Sequence, residues 1–189
     1  MKKLFSFLFV AIMAIGVNAG NDNKDVTEAP YKVGDYYNDG TKEGVVFVVS
    51  DDGMHGKIVS LGECEVMWSN QRPMNKTVGA KSADNGMSNM NKVKEQADWE
   101  TYFPAFVWCA SIGEGWYLPA KDEMNVIAQN RNIISSRLNE KGYGVILSEG
   151  YWTSTEFDSS CAWFVRLNGG SSGNYFKNRV GYVRAVSAF

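Results

Sequence analysis

Histidine occurs once in this chain, as His55, and cysteine three times, as Cys64, Cys109 and Cys161. A lone imidazole has no second nitrogen ligand with which to share a metal, and the cysteine spacing matches no zinc motif. No histidine lies near Cys161 to draw off its proton, so a reactive thiolate in Ser159-Ser160-Cys161 has little behind it. At most one internal disulfide can form. Basic excess is also missing: 19 Lys and Arg stand against 21 Asp and Glu, a net charge of -2. That removes the electrostatic footprint of a nucleic-acid binder. Long apolar runs are confined to Leu4 to Val17, shorter than the ~20 residues that cross a bilayer. No catalytic group, metal, cofactor, nucleic acid or membrane span is expected.

That apolar run follows Lys2 and Lys3 and leads to Val17-Asn18-Ala19, with Val17 and Ala19 at the -3 and -1 positions of a cleavage site. Residues 1–19 therefore read as a signal peptide, and no cysteine follows the cut to carry a lipid. Residues 20–30 are polar and read as a flexible linker. The remainder, 31–189, has the composition for one filled core, since the chain is 44% hydrophobic and 13% aromatic. An exported protein is expected, periplasmic or at or beyond the cell surface.

What is present is a chain of short elements. Gly44-Val45-Val46-Phe47-Val48-Val49 and Lys57-Ile58-Val59-Ser60-Leu61 flank Asp51-Asp52-Gly53, the pattern of a β-hairpin. His55 then reads as a turn residue, although Asp51, Asp52 and Glu63 are near it in sequence. Trp68 to Asn91 shows no sustained period and reads as a long loop. Asn75-Lys76-Thr77 fits a glycosylation sequon by spacing alone. Trp99 to Ser111 has helical periodicity, with Pro104 best placed in a first turn. Pro119 opens another helix whose first turn carries Asp122 and Glu123, where the helix dipole favours acid. A further helical piece runs through Ile133, Ile134 and Leu138 to Gly142. From Val145 the pattern is strands and loops.

The stretch from Tyr151 to Phe189 has the palette of a recognition surface, stiff aromatics among small polar groups. Candidate ligand contacts are Glu156, Phe157, Asp158 and Ser160 in one loop. A second set is Asn168, Ser171, Asn174, Tyr175, Phe176, Lys177, Asn178 and Arg179, expected at the tip of a hairpin between Trp163–Leu167 and Val180–Val186. Arg166, Lys177, Arg179 and Arg184 outnumber Glu156 and Asp158 there, which suits an acidic glycan or a negatively charged protein patch. Trp116, Trp152 and Trp163 read as core, and Glu156 and Arg184 are as readily scaffold ion pairs as ligand contacts.

Gly113-Glu114-Gly115-Trp116-Tyr117-Leu118-Pro119 with Asp122-Glu123 resembles the signature of the Lcl C-terminal-type domain, close to the Fibrobacter succinogenes major paralogous domain. Tyr151-Trp152-Thr153-Ser154-Thr155-Glu156, Ala162-Trp163 and Tyr182-Val183-Arg184 are similar to that family's second half. Val33-Gly34-Asp35-Tyr36-Tyr37 and His55 to Leu61 extend the resemblance over nearly all of 31–189. It implies an α+β, C-type-lectin-like fold: two helices on small antiparallel sheets, with long loops and neighbouring chain ends. It also implies adhesin-like binding of an extracellular glycan or surface protein through C-terminal loops, as in variable proteins diversified by retroelements. Glu-Pro-Asn, Gln-Pro-Asp and Trp-Asn-Asp are missing, so calcium-mediated sugar binding is not expected. The cysteine pair of formylglycine-generating enzymes is not visible either. An exported enzyme of that fold group, or a structural subunit of a surface assembly, is the alternative.

Overall fold

The computed structural model describes residues 31–70, 76–144 and 150–189. The expected signal peptide over 1–19, the expected linker over 20–30, the first residue of the sequon-like Asn75-Lys76-Thr77 and the expected strand onset at Val145 lie outside them.

The continuous apolar run of β2 (Glu43–Val49) and the shorter β3 (Gly56–Ser60) form the expected antiparallel hairpin, with Val45 opposite Val59 and Val46 opposite Ile58. The register shifts between Val46 and Val48, where Phe47 is inserted. Short β1 (Tyr36–Asn38) and the last strand, β9 (Val186–Ala188), flank this pair, giving the order β1-β2-β3-β9. The rings of Tyr31, Tyr37 and Phe189 meet at 4.4–5.4 Å, so the beginning of the described chain touches its last residue.

A five-stranded sheet has the order β4-β8-β5-β6-β7: β4 (Cys64–Met67), β5 (Gly150–Glu156), β6 (Cys161–Arg166), β7 (Ser171–Phe176) and β8 (Val180–Val183). All pairings are antiparallel except β5 with β8. The mixed α+β class is as expected, but the hairpin over 163–186 is not. Its presumed tip is itself a strand, β7, paired residue for residue with β6, while β8 lies on the far side of β5. Gly169 and Gly170 at positive φ turn the chain back after four residues, which leaves Ser171–Phe176 extended along β6.

The helices number five among the described residues, not two: α1 (Gly86–Lys94), α2 (Trp99–Tyr102), α3 (Pro104–Ser111), α4 (Lys121–Gln129) and α5 (Arg131–Glu140). The helix expected over 99–111 is broken at Phe103, because Pro104 supplies no N–H and disfavours helical backbone in the residue before it. α1 begins inside the loop expected over Trp68 to Asn91 and runs past its end; Asn85 caps it by accepting from the Ser88 N–H at 2.9 Å, and Met90 and Val93 are buried. α1 and α4 pack on β5, α4 also on β6, α3 on β4, and α5 on β2. Trp116 and Trp152 are buried in the core, as expected, whereas Trp163 is only half-buried, its ring lying 5.0 Å from the Lys121 ammonium and 5.4 Å from Phe157.

Glu123 ties these layers together. One of its oxygens accepts from the N–H of Ala120 at 2.7 Å and of Gly86 at 3.0 Å. The other accepts from the Tyr117 hydroxyl at 2.8 Å and the Lys57 ammonium at 2.6 Å. A single buried carboxylate thus joins two helix N-termini to β3.

Candidate recognition surface

Glycines shape the outer side of the five-stranded sheet. A Cβ at Gly150 would lie 1.7 Å from the Phe164 ring, and one at Gly181 would lie 2.8 Å from it. These bare positions let the ring lie down between β6, β5 and β8. Gly173, opposite Phe164 on β7, has nothing within 4 Å of where its Cβ would be. The result is a groove of about 390 Å³ with contributions from every strand of the sheet. Its polar and aromatic lining includes Glu65, Phe164, Arg166, Asn174, Tyr175 and Tyr182.

Register explains the arrangement. Residues directly opposite in an antiparallel ladder share a face. Arg166 faces Ser171, Phe164 faces Gly173, and Ala162 faces Tyr175, so these six point to one side. Tyr175 sits 5.6 Å from Phe164 and 6.0 Å from Trp152, an aromatic floor for that side. The alternate residues Ser172, Asn174 and Phe176 point the other way, and the Ser172 hydroxyl meets the Asn125 amide oxygen of α4 at 3.1 Å.

The sequence candidates therefore do not make a single patch. Two of them are interior. Lys177 is 3% exposed and Glu156 2%. The Lys177 ammonium donates to Glu156 Oε1 at 2.6 Å and to the carbonyls of Asp158 at 2.8 Å and Ser159 at 3.1 Å. It also lies 4.7 Å from the Trp68 ring. All three of its donors are used inside the protein, and burial pulls its pKa down against the pull of Glu156. Glu156 accepts in turn from the amides of Val78 at 3.0 Å and Gly79 at 3.1 Å. Both are corrected from ligand contacts to scaffold, because a desolvated pair with every valence filled has nothing left to offer a ligand.

Phe157, Asp158 and Ser160 lie in the β5–β6 turn. Asp158 accepts from the amides of Ser160 at 2.8 Å and Cys161 at 2.7 Å, which hold its carboxyl below the usual range. This is a tied turn, not an adaptable loop. Asn178 and Arg179 occupy the β7–β8 turn at the same end, where the Lys177 N–H reaches the Ser160 carbonyl at 2.9 Å. Asn168 and Ser171 stand at the opposite end of β7, about 17 Å away at ~3.3 Å per residue. The second half's cationic excess also shrinks. Besides Lys177, Arg184 is buried, held at 2.6 Å by Glu63 and donating to the carbonyls of Ser60 and Leu61.

Phe157, Asn168 and Arg179 are exposed in separate turns, while β7 is exposed along its whole length, with Tyr175 44% and Phe176 54% exposed. The sequence reading missed Glu65, Phe164 and Tyr182 as groove residues. They come from three separate strands, and only alternation within β6 hinted that Phe164 and Arg166 share a face.

Among the described residues no group of acidic, histidine and cysteine side chains is arranged to hold a metal, and the three thiols are free. No helix among them is long and apolar enough to cross a membrane. No family model matches the chain, and no curated protein matches it. Among solved structures it is similar to a fimbrial protein from Bacteroides ovatus, with a TM-score of 0.69 at 16% identity. The likeness is one of fold. It covers 84% of this chain and 49% of the fimbrial protein, so the chain spans about half of that protein's length.

Proposed function

We propose that this is an exported, non-enzymatic recognition domain that binds a glycan or protein through the outer side of its five-stranded sheet. The observation that carries the reading is β7: six exposed residues, with the Tyr175 ring on the face of a groove floored by glycine and aromatic rings and Phe176 exposed on the other side of the strand. A solvent-facing aromatic at a concave site, as Tyr175 is, is the usual anchor of binding. The resemblance to Lcl C-terminal-type domains and their C-type-lectin-like fold points the same way, as does a similarly folded region within a fimbrial protein. On this reading the protein works at the cell surface. The test is a binding screen over glycans and surface proteins with wild type and the Tyr175→Ala/Phe176→Ala double variant. A loss of tenfold or more is expected, and unchanged binding removes β7 from the site.

A second reading has its own observation. β7 is the last strand of its sheet, uncharged from Ser171 to Phe176, and such edges invite another strand. A subunit of a surface assembly would use that edge to associate; a monomer by light scattering at high concentration counts against it.

A further inference from the structure

We infer that the groove takes a short oligosaccharide carrying a carboxylate, which Arg166 binds and Tyr175 stacks against. The inference rests on the recognition reading above and deepens it.

Three observations converge on this chemistry. First, the groove is a track rather than a pit. It draws on all five strands, and four inter-strand steps of ~4.8 Å make it about 19 Å long. That length suits several linked sugar rings better than one small molecule. Second, its polar groups are uncommitted. The Arg166 side chain makes no ion pair or hydrogen bond among the described residues, and neither does the Tyr175 hydroxyl. The other internal cations of this half, Lys177 and Arg184, are saturated by protein carbonyls and carboxylates. Third, Tyr175 and Arg166 stand on the same face, each two residue positions from the open gap at Gly173.

A saccharide matches this set group by group. The apolar face of a pyranose ring lies flat on an aromatic side chain, and Tyr175 offers its ring with Phe164 and Trp152 packed behind it. Guanidinium is a planar fork that pairs with a carboxylate through two parallel N–H bonds. Sugar hydroxyl groups exchange hydrogen bonds with the Tyr175 hydroxyl.

The test is an array of uronate- and sialate-containing oligosaccharides beside their carboxyl-reduced forms, read with wild type, Arg166→Gln, Tyr175→Ala, Gly173→Val and, as control, Lys94→Gln on α1. Gly173→Val places a β-favouring side chain where nothing lies within 4 Å, so it blocks the groove without a clash. Thermal unfolding verifies that each variant is folded. Wild type is expected to bind an acidic glycan at least tenfold more tightly than its reduced form. Arg166→Gln should erase that preference, Tyr175→Ala should weaken both forms, Gly173→Val should abolish both, and Lys94→Gln should change neither. Equal binding of reduced and unreduced glycans, or a preference that survives Arg166→Gln, overturns the carboxylate. If no glycan binds but a surface protein does, in a manner lost with Gly173→Val, the saccharide is overturned and the recognition reading stands. Should no probe of either kind respond to Gly173→Val, both fall.

Discussion

Lys177 shows how much a single residue can change the meaning of its neighbours. Its ammonium is buried against Glu156, two carbonyls and the Trp68 ring, so truncating it strands a buried carboxylate. Lys177→Met is expected to cost about 3–5 kcal/mol in urea unfolding, and pairing it with Glu156→Gln should recover much of that. Cys64 is expected to be sluggish for a different reason. Burial, with Glu63 and Glu65 adding to it, pushes its thiol up to about 12. Little thiolate exists at pH 8, and iodoacetamide should label it roughly a thousandfold more slowly than a free cysteine, as mass spectrometry can follow. Asp39 moves the other way. Burial pushes its carboxyl up, but hydrogen bonds from the Lys42 and Thr41 amides, the Thr41 hydroxyl and the Tyr37 hydroxyl prevail and hold it at about 2. A depressed carboxyl stabilises the fold above its ordinary pKa of about 4 and loses that contribution as pH falls toward 2. Asp39→Asn should therefore flatten the acid limb of a stability–pH curve between those values.

At the scale of elements, β6 and the glycines around it set the outer face of the sheet. Gly150→Ala and Gly181→Ala both drive a methyl into the Phe164 ring, Gly150 more severely at 1.7 Å against 2.8 Å. Overpacking of this kind costs about 1–3 kcal/mol, and the expected order of urea midpoints is Gly150→Ala below Gly181→Ala below wild type. Gly173→Val should match or exceed wild type, since β7 gains strand propensity and meets no neighbour. β7 is a strand because β6 supplies a ladder for it; Ser-Ser-Gly-Asn has little preference of its own, so it reads as a turn when taken alone. α1 was hidden for a similar reason: Met87, Met90 and Val93 are too sparse a stripe among Ser, Asn and Lys, although Asn85 ahead of them was an available cap signal.

Across the whole molecule, the two sheets are joined by side chains rather than by strand pairing. Glu123 links α4, α1 and β3, and Arg184 grips Glu63 and the carbonyls of Ser60 at the end of β3 and Leu61 just after it from the segment between β8 and β9. The aromatic trio of Tyr31, Tyr37 and Phe189 closes the four-stranded sheet at the chain's last residue. Phe189→Ala is expected to lower stability by about 2 kcal/mol, with a fall in Tm measurable by calorimetry, because a half-buried ring loses less than a fully buried one.

Local pattern was enough for the β2–β3 hairpin, the start of α3 at Pro104, the acidic first turn of α4 and the burial of Trp116 and Trp152, because each depends on neighbours within a few positions. Long-range pairing decided everything about the site. Glu156 and Lys177 are 21 residues apart, Arg184 and Glu63 are 121 apart, and nothing in either member's surroundings in sequence announces the other. Charged residues beside aromatic and polar runs look like ligand contacts until folding shows which ones have already found a partner. The groove was illegible for the same physical reason: its lining comes from five strands whose order, β4-β8-β5-β6-β7, is a property of tertiary packing and not of any one segment.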